Sequence, residues 1–314
     1  MKKYALFLGC NTPTKVFQYE LSVRWVARRL GVELVDIEDM VCCGSNQINL
    51  SIEGGLLLSA MNLALAESYG LDIVTLCAAC TGTLSEAVEE LKDRKVRAKI
   101  NEKLSDLGLE YNGKSKVKHF SRIIYENIGI DRIKKEIKKD LSKLTVAPHY
   151  GCHYLKPKNV YGGFDEPERP QTLHQLIQAT GALPIRYETL LLCCGGKTFP
   201  NSQDLAHSLI GIKLENLKNK NVDCISLHCQ SCYLMYGTQQ EKVSKKLGKQ
   251  YNIPILLYSQ LLGLALGGDP IVDLGLNLNV PSTDKLLDKI GIGHKEKMVK
   301  FEVQKAEEAE IHFQ

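Results

Sequence analysis

Eleven cysteines stand at positions 10, 42, 43, 77, 80, 152, 193, 194, 224, 229 and 232 of a 314-residue chain, and ten of them form one pattern written twice. With Cys224 set aside, the first five occur in LGCN, VCCGSN and LCAACT, and the second five in YGCHY, LCCGGK and HCQSC. Matching positions are offset by 142, 151, 151, 152 and 152, so one nine-residue and one single-residue insertion account for every difference. The flanks repeat as well: GLDIVTLCAAC parallels NVDCISLHCQSC, and VKHFSRII parallels ILLYSQLL. Such self-similarity marks an internal duplication, and whatever fold one half adopts, the chain must adopt twice. The single-residue insertion is placed at His228, which sets Cys224 opposite Ile73, an apolar strand position.

Each half reads as strands alternating with helices. KYALFLG is a strand leading into Cys10, FQYELSVRWVARRLG is a helix stopping at Gly31, and VELVDI is a strand leading toward Cys42 and Cys43. IEGGLLLSAMNLALAESYG is a second helix, and LDIVTL is a strand opening directly into Cys77. In the second half KLTVAPHYG, LPIRYETLL and NVDCISLH lead into Cys152, Cys193 and Cys229. Alternation of this kind implies an α/β fold with mostly parallel sheets. The expectation is two duplicated Rossmann-like domains related by a pseudo-twofold. Their boundary is expected after the charged DRIKKEIKKDLSK helix, which gives 1–143, 144–268 and a C-terminal extension, 269–314. The extension reads as a loop and short helix followed by a charged, helical tail, HKEKMVKFEVQKAEEAEIHFQ. Ligands in parallel sheets collect at the carboxyl edges of strands, where all these thiols converge.

A net charge of +4 with interspersed acidic and basic residues gives no reason to expect nucleic acid. The N-terminal apolar run is short and ends in Cys-Asn-Thr-Pro, unlike a secretory signal. The longest later run, IPILLYSQLLGLALGG, is broken by Pro254, Ser259 and Gln260 and is too short for a membrane span. The cytoplasm is therefore the expected compartment, where many thiols point to metal or redox chemistry rather than disulfides. Vicinal Cys42 and Cys43 also make a strained disulfide. A structural zinc closes with four ligands, usually from paired CxxC units, whereas each half offers one CxxC, one distant cysteine and a vicinal pair. No ferredoxin run, GxGxxG or P-loop is present.

Taken twice, the pattern resembles the CCG-domain family, most closely the B subunits of heterodisulfide reductases. It reads Cys10, Cys42-Cys43-Gly44 and Cys77-Ala-Ala-Cys80, then Cys152, Cys193-Cys194-Gly195 and Cys229-Gln-Ser-Cys232, over nearly the whole chain. The resemblance implies that these ten cysteines hold two noncubane [4Fe-4S] clusters, five thiolates each, with one bridging. Adjacent thiolates would then reach different irons of one opened cluster. It further implies an iron–sulfur oxidoreductase of methanogenesis that reduces the coenzyme M–coenzyme B disulfide to two thiols. The duplication fits that two-electron chemistry, with two clusters facing a shared cleft and each taking one substrate sulfur. Implied partners are a ferredoxin-like C-type subunit and a flavin-carrying A-type subunit of an electron-bifurcating complex, with a hydrogenase or formate dehydrogenase supplying electrons.

Beside the thiols, His153 is the expected proton donor to a nascent thiolate, since its reference pKa lies near neutrality. His149 has the same chemistry but reads more readily as structural. Gly195, Gly196, Lys197 and His228 are expected at the substrate: the glycines by close backbone approach, Lys197 (and Lys156) by binding anionic groups. Cys224 reads as a small buried hydrophobe. Two other readings share these residues: a related CCG redox subunit with another thiol or disulfide substrate, and a non-catalytic assembly subunit holding a cluster or zinc.

Overall fold

A computed structural model describes residues 2–292; the charged tail from His294 onward lies outside the described residues. Two four-stranded, all-parallel sheets form, in the orders β2-β1-β3-β4 and β6-β5-β7-β8. The strands are β1 (Lys2–Phe7), β2 (Val32–Val35), β3 (Asp72–Thr75), β4 (Val117–His119), β5 (Thr145–His149), β6 (Leu183–Pro184), β7 (Cys224–Leu227) and β8 (Ile255–Leu257). In both sheets the chain leaves the first strand to one side and returns on the other. A crevice therefore opens beyond the carboxyl ends of β1 and β3, and likewise of β5 and β7.

The helices follow from local signals. Helix Phe17–Leu30 buries Tyr19, Val23, Val26, Ala27 and Leu30 at helical spacing, and Gly31 ends it in the left-handed conformation. Helices Ile52–Ser68 and Gln203–Lys218 occupy matching places and start alike: Ser51 accepts from the Gly54 N–H and Ser202 from the Leu205 N–H. The repeated VKHFSRII and ILLYSQLL are the fourth strands running directly into helices.

The halves clasp each other reciprocally. Helix Tyr258–Ala265, which follows the last strand of the second half, packs on helix Phe17–Leu30 of the first, where the Ser22 and Ser259 hydroxyls lie 2.7 Å apart. In return, Tyr125 after β4 donates to Gln175 (2.6 Å) on helix Thr172–Ala179, against which helix Ile130–Glu136 also packs. This exchange is what a pseudo-twofold between duplicated halves produces. The extension then crosses the joint: Leu274, Leu276, Leu286 and Leu287 are buried, and a short helix, Asp284–Lys289, follows the loop as expected.

Three expectations need correction. The charged helix stops at Glu136 rather than reaching Lys143, because the Lys138 and Lys139 N–H groups turn away to share the Ala265 carbonyl of the clasping helix. The LPIRYETLL segment yields only two strand residues, since Pro184 has no N–H and sits on an edge. Register also moves the single-residue insertion. Ala5 pairs with Ile73 and Ala147 with Ile225, so Cys224 matches Asp72, and His228 matches Leu76 rather than being the added residue.

Candidate functional site

The distant cysteines, Cys10 and Cys152, leave the ends of β1 and β5. Cys77 and Cys229 follow β3 and β7 in extended backbone (φ −131° and −134°) and cap the helices that carry Cys80 and Cys232. Helix amino ends stabilise thiolates through free N–H groups and the positive pole of the dipole. The vicinal pairs come from the loops after β2 and β6, which turn back onto helices Ile52–Ser68 and Gln203–Lys218. Gly44 makes that turn at φ +86°, with the Gly55 carbonyl where a Cβ would lie; Gly195 repeats it against Ala206.

The ten thiols form one band. In the first half Cys42, Cys43, Cys80 and Cys77 follow one another as neighbours, and Cys10 lines the same cavity of about 350 Å³ as Cys42. In the second half the order is Cys152, Cys193, Cys194, Cys232 and Cys229. The two runs meet where the sulfurs of Cys77 and Cys229 stand 3.9 Å apart. Cys10, Cys152 and Cys193 are exposed at the rim, while both CxxC pairs are buried at the floor. Hydrogen bonding from Cys80 pulls the Cys43 thiol down to about 6, and the same contact pushes Cys80 up. Cys152 likewise pulls Cys193 down.

This donor set fits a multi-iron group. Among the described residues no three His, Cys, Asp or Glu side chains converge as a lone ion requires. Instead, neighbouring thiols are spaced along an edge, and the Gly195 and Gly196 N–H groups point at Cys193 (3.3 Å) and Cys194 (3.4 Å). Donors of this kind tune sulfur-ligated iron. Cys224 stands apart: it is fully buried in β7, and burial pushes its thiol up.

His153 is half-buried and crosses the joint, for a Cβ on Gly82 of the first half would lie 3.2 Å from its Nδ1. Burial and then Lys197 lower its pKa, whereas Cys229 and Cys193 raise it. Lys197 and Lys156 are exposed, Lys156 pairing with Glu168 (3.2 Å). His228 is not where the sequence suggests. It is fully buried, its Nε2 is 2.7 Å from the Tyr150 carbonyl, and its own carbonyl accepts from Tyr19 (2.9 Å). It ties the halves together from within.

One residue escaped the sequence reading. Lys213 is fully buried on helix Gln203–Lys218 and donates to the Thr189 and Leu190 carbonyls just before the vicinal pair. Burial pulls it down to about 7, against Cys232, Cys194 and Cys193, which hold its proton. The available signal was a lysine on the apolar face formed by Ile210, Leu214 and Leu217.

The CCG cysteine-rich domain model matches twice, at residues 4–85 and 146–237. The chain is 37% identical to the B subunit of the ferredoxin/F(420)H(2)-dependent CoB-CoM heterodisulfide reductase of Methanosarcina acetivorans, over 92% of this chain and 97% of that one. It is 36% identical to a protein of Archaeoglobus profundus described as like the B subunit of heterodisulfide reductase (86% and 92% covered). It is also 32% identical to the 8-methylmenaquinol:fumarate reductase membrane anchor subunit of Wolinella succinogenes (91% and 99%). In fold it is similar to a crystal structure of a hypothetical protein from Helicobacter pylori (TM-score 0.71, 18% identity), covering 90% of this chain and 52% of that one.

Proposed function

The chain belongs to the CCG cysteine-rich domain family, and from that premise we propose that it is the B-type subunit of a heterodisulfide reductase. It reduces the coenzyme M–coenzyme B disulfide to two thiols, with two electrons and two protons taken up. Each half holds one noncubane [4Fe-4S] cluster, through Cys10, Cys42, Cys43, Cys77 and Cys80, and through Cys152, Cys193, Cys194, Cys229 and Cys232. The observation that carries this reading is the 3.9 Å contact of Cys77 and Cys229, which joins two equivalent five-thiol sets into one site. When bound, such clusters supply electrons singly, and a disulfide needs one for each sulfur.

The chain's own residues do the rest. The exposed rim thiols Cys10, Cys152 and Cys193 leave each site open on one side, and the buried CxxC pairs keep water from the floor. His153, which reaches both halves, delivers a proton to a departing thiolate. Lys197 and Lys156 attract anionic substrate groups, and the Gly195–Gly196 backbone admits the substrate to the vicinal pair. The domain limits follow the duplication at 1–143, 144–268 and 269–314. Electrons arrive from a C-type and an A-type subunit, fed by a hydrogenase or formate dehydrogenase, in the cytoplasm. Among the described residues no helix is long and apolar enough to cross a membrane.

The relative named as a fumarate reductase subunit favours a second reading, in which the same two sites relay electrons to a partner without touching a disulfide. Anaerobically purified protein, assayed with a reduced viologen dye, separates them. The first reading expects about eight irons per chain and two thiols released per disulfide. Full iron and sulfide without thiol release would favour the relay, and zinc without sulfide would end both.

A further inference from the structure

The two halves are duplicates, yet among the described residues a buried lysine stands beside only one of the thiol sets. In the second half Lys213 Nζ lies 3.2 Å from His149 Nδ1 and also donates to the Thr189 and Leu190 carbonyls, with the Tyr187 hydroxyl oxygen a longer acceptor at 3.5 Å. Because Nδ1 accepts, His149 carries its proton on Nε2, 3.3 Å from the sulfur of Cys232. The imidazole is fixed edge-on against Tyr236. Lys213, His149 and Cys232 thus form one line of donors ending on a ligand sulfur.

The same three places in the first half read differently. Strand register makes Phe7 the counterpart of His149, since Phe7 pairs with Thr75 as His149 pairs with Leu227. The matching helix starts make Asn62 the counterpart of Lys213. Asn62 does the same structural task, holding the loop before the vicinal pair through the Val41 N–H (2.9 Å) and the Cys42 carbonyl (3.2 Å), but carries no charge. Phe7 has no donor to offer Cys80. The cavities beside the rim thiols differ in the same sense: Asp36 and Glu38 line the first, His149 and Lys156 the second.

We propose that Lys213, acting through His149, makes the two sites electrochemically unequal by raising the reduction potential of the group held by the second half above that of the first. Lys213 is a positioning and tuning residue: it touches no ligand itself, but orients the N–H···S bond and adds a buried positive charge. Both effects favour the more negative, reduced state of a sulfur-ligated iron group. The inference rests on the reading that both thiol sets hold iron–sulfur clusters. When one electron is shared, the first half is left oxidised and the second reduced, with no bond or proton changing place. A unit charge separated from Cys232 by one imidazole, taken at about 8 Å in an effective dielectric of about 20, shifts a one-electron equilibrium roughly thirty-fold. At 59 mV per tenfold that is about 90 mV.

The test is a potentiometric titration of the anaerobically purified full-length protein followed by electron paramagnetic resonance. The signal lost in Cys194→Ser identifies the second half. Lys213→Met should lower that half's potential by about 90 mV and the first half's by clearly less, since the Coulomb effect falls with distance. His149→Phe, which installs the residue already used in the first half, should shift it in the same direction and decides the question if Lys213→Met does not fold. Unmoved potentials in protein that keeps its iron and sulfide, or equal shifts in both halves, would overturn the inference while leaving the clusters in place. Wild-type protein without iron and sulfide would overturn both.

Discussion

Replacing Gly44 by alanine tests whether the vicinal cysteines depend on the turn that presents them. Gly44 has φ +86°, and a Cβ there would lie 2.4 Å from the Gly55 carbonyl oxygen and 3.1 Å from its carbonyl carbon. Those atoms belong to the first turn of helix Ile52–Ser68, which is fixed by the Ser51 cap. The left-handed backbone alone costs an L-residue about 1–2 kcal/mol, and overpacking against an unyielding backbone adds about 1–3 kcal/mol. Gly70 isolates the first of these costs, having φ +66° and no atom within 4 Å of a Cβ. Gly70→Ala should therefore cost about 1–2 kcal/mol and leave iron content intact. Gly44→Ala should cost about 2–5 kcal/mol, or the turn should open and carry Cys42 and Cys43 away from Cys80. Thermal unfolding with iron and sulfide analysis reads both effects: Gly44→Ala should melt well below Gly70→Ala and lose about half of the metal. Equal melting temperatures with full metal content in both variants would refute the argument that this turn holds the site.

Three further outcomes are expected. Cys224→Ala should leave iron and activity unchanged and cost about 1 kcal/mol, because its thiol is buried in β7 away from the band; loss of a cluster on metal analysis would refute that placement. Cys43→Ser and Cys194→Ser should each abolish thiol release while the other half keeps its metal, and their combination should add little. Retained activity in either single variant under a viologen donor would refute joint action. Burial holds His119 neutral, at about 3, against an ordinary value near 6.5. Below about pH 6.5 the unfolded chain therefore binds a proton that the folded one refuses, and this residue's share of stability falls by about 1.4 kcal/mol per pH unit. His119→Asn, which retains an acceptor for the Ser121 N–H, should flatten the acid limb of a denaturation series.

Much of this protein is determined by short-range pattern and so follows from the sequence alone. The duplicated cysteines, the parallel α/β halves, the Gly31 helix stop and the positions of Cys10, Cys77, Cys152 and Cys229 just after strands all rest on spacings of a few residues and on turn chemistry. Burial of Cys224 was legible too, as a cysteine in an apolar strand. What the sequence could not determine depends on partners far along the chain. The insertion moved because ladder hydrogen bonds, not residue likeness, fix register, and these pair Ile225 as they pair Ile73. The charged helix ends early because a carbonyl more than a hundred residues away takes its N–H groups. His228 turned inward because Tyr150 and Tyr19, from opposite halves, both bind it. Meeting of Cys77 with Cys229, and of Lys213 with His149, required the halves to clasp and a helix to dock on its sheet. Local chemistry chose which residues stand at the strand ends; only packing decided which of them touch, because contact between distant segments is set by the sum of all buried surfaces and not by any one stretch.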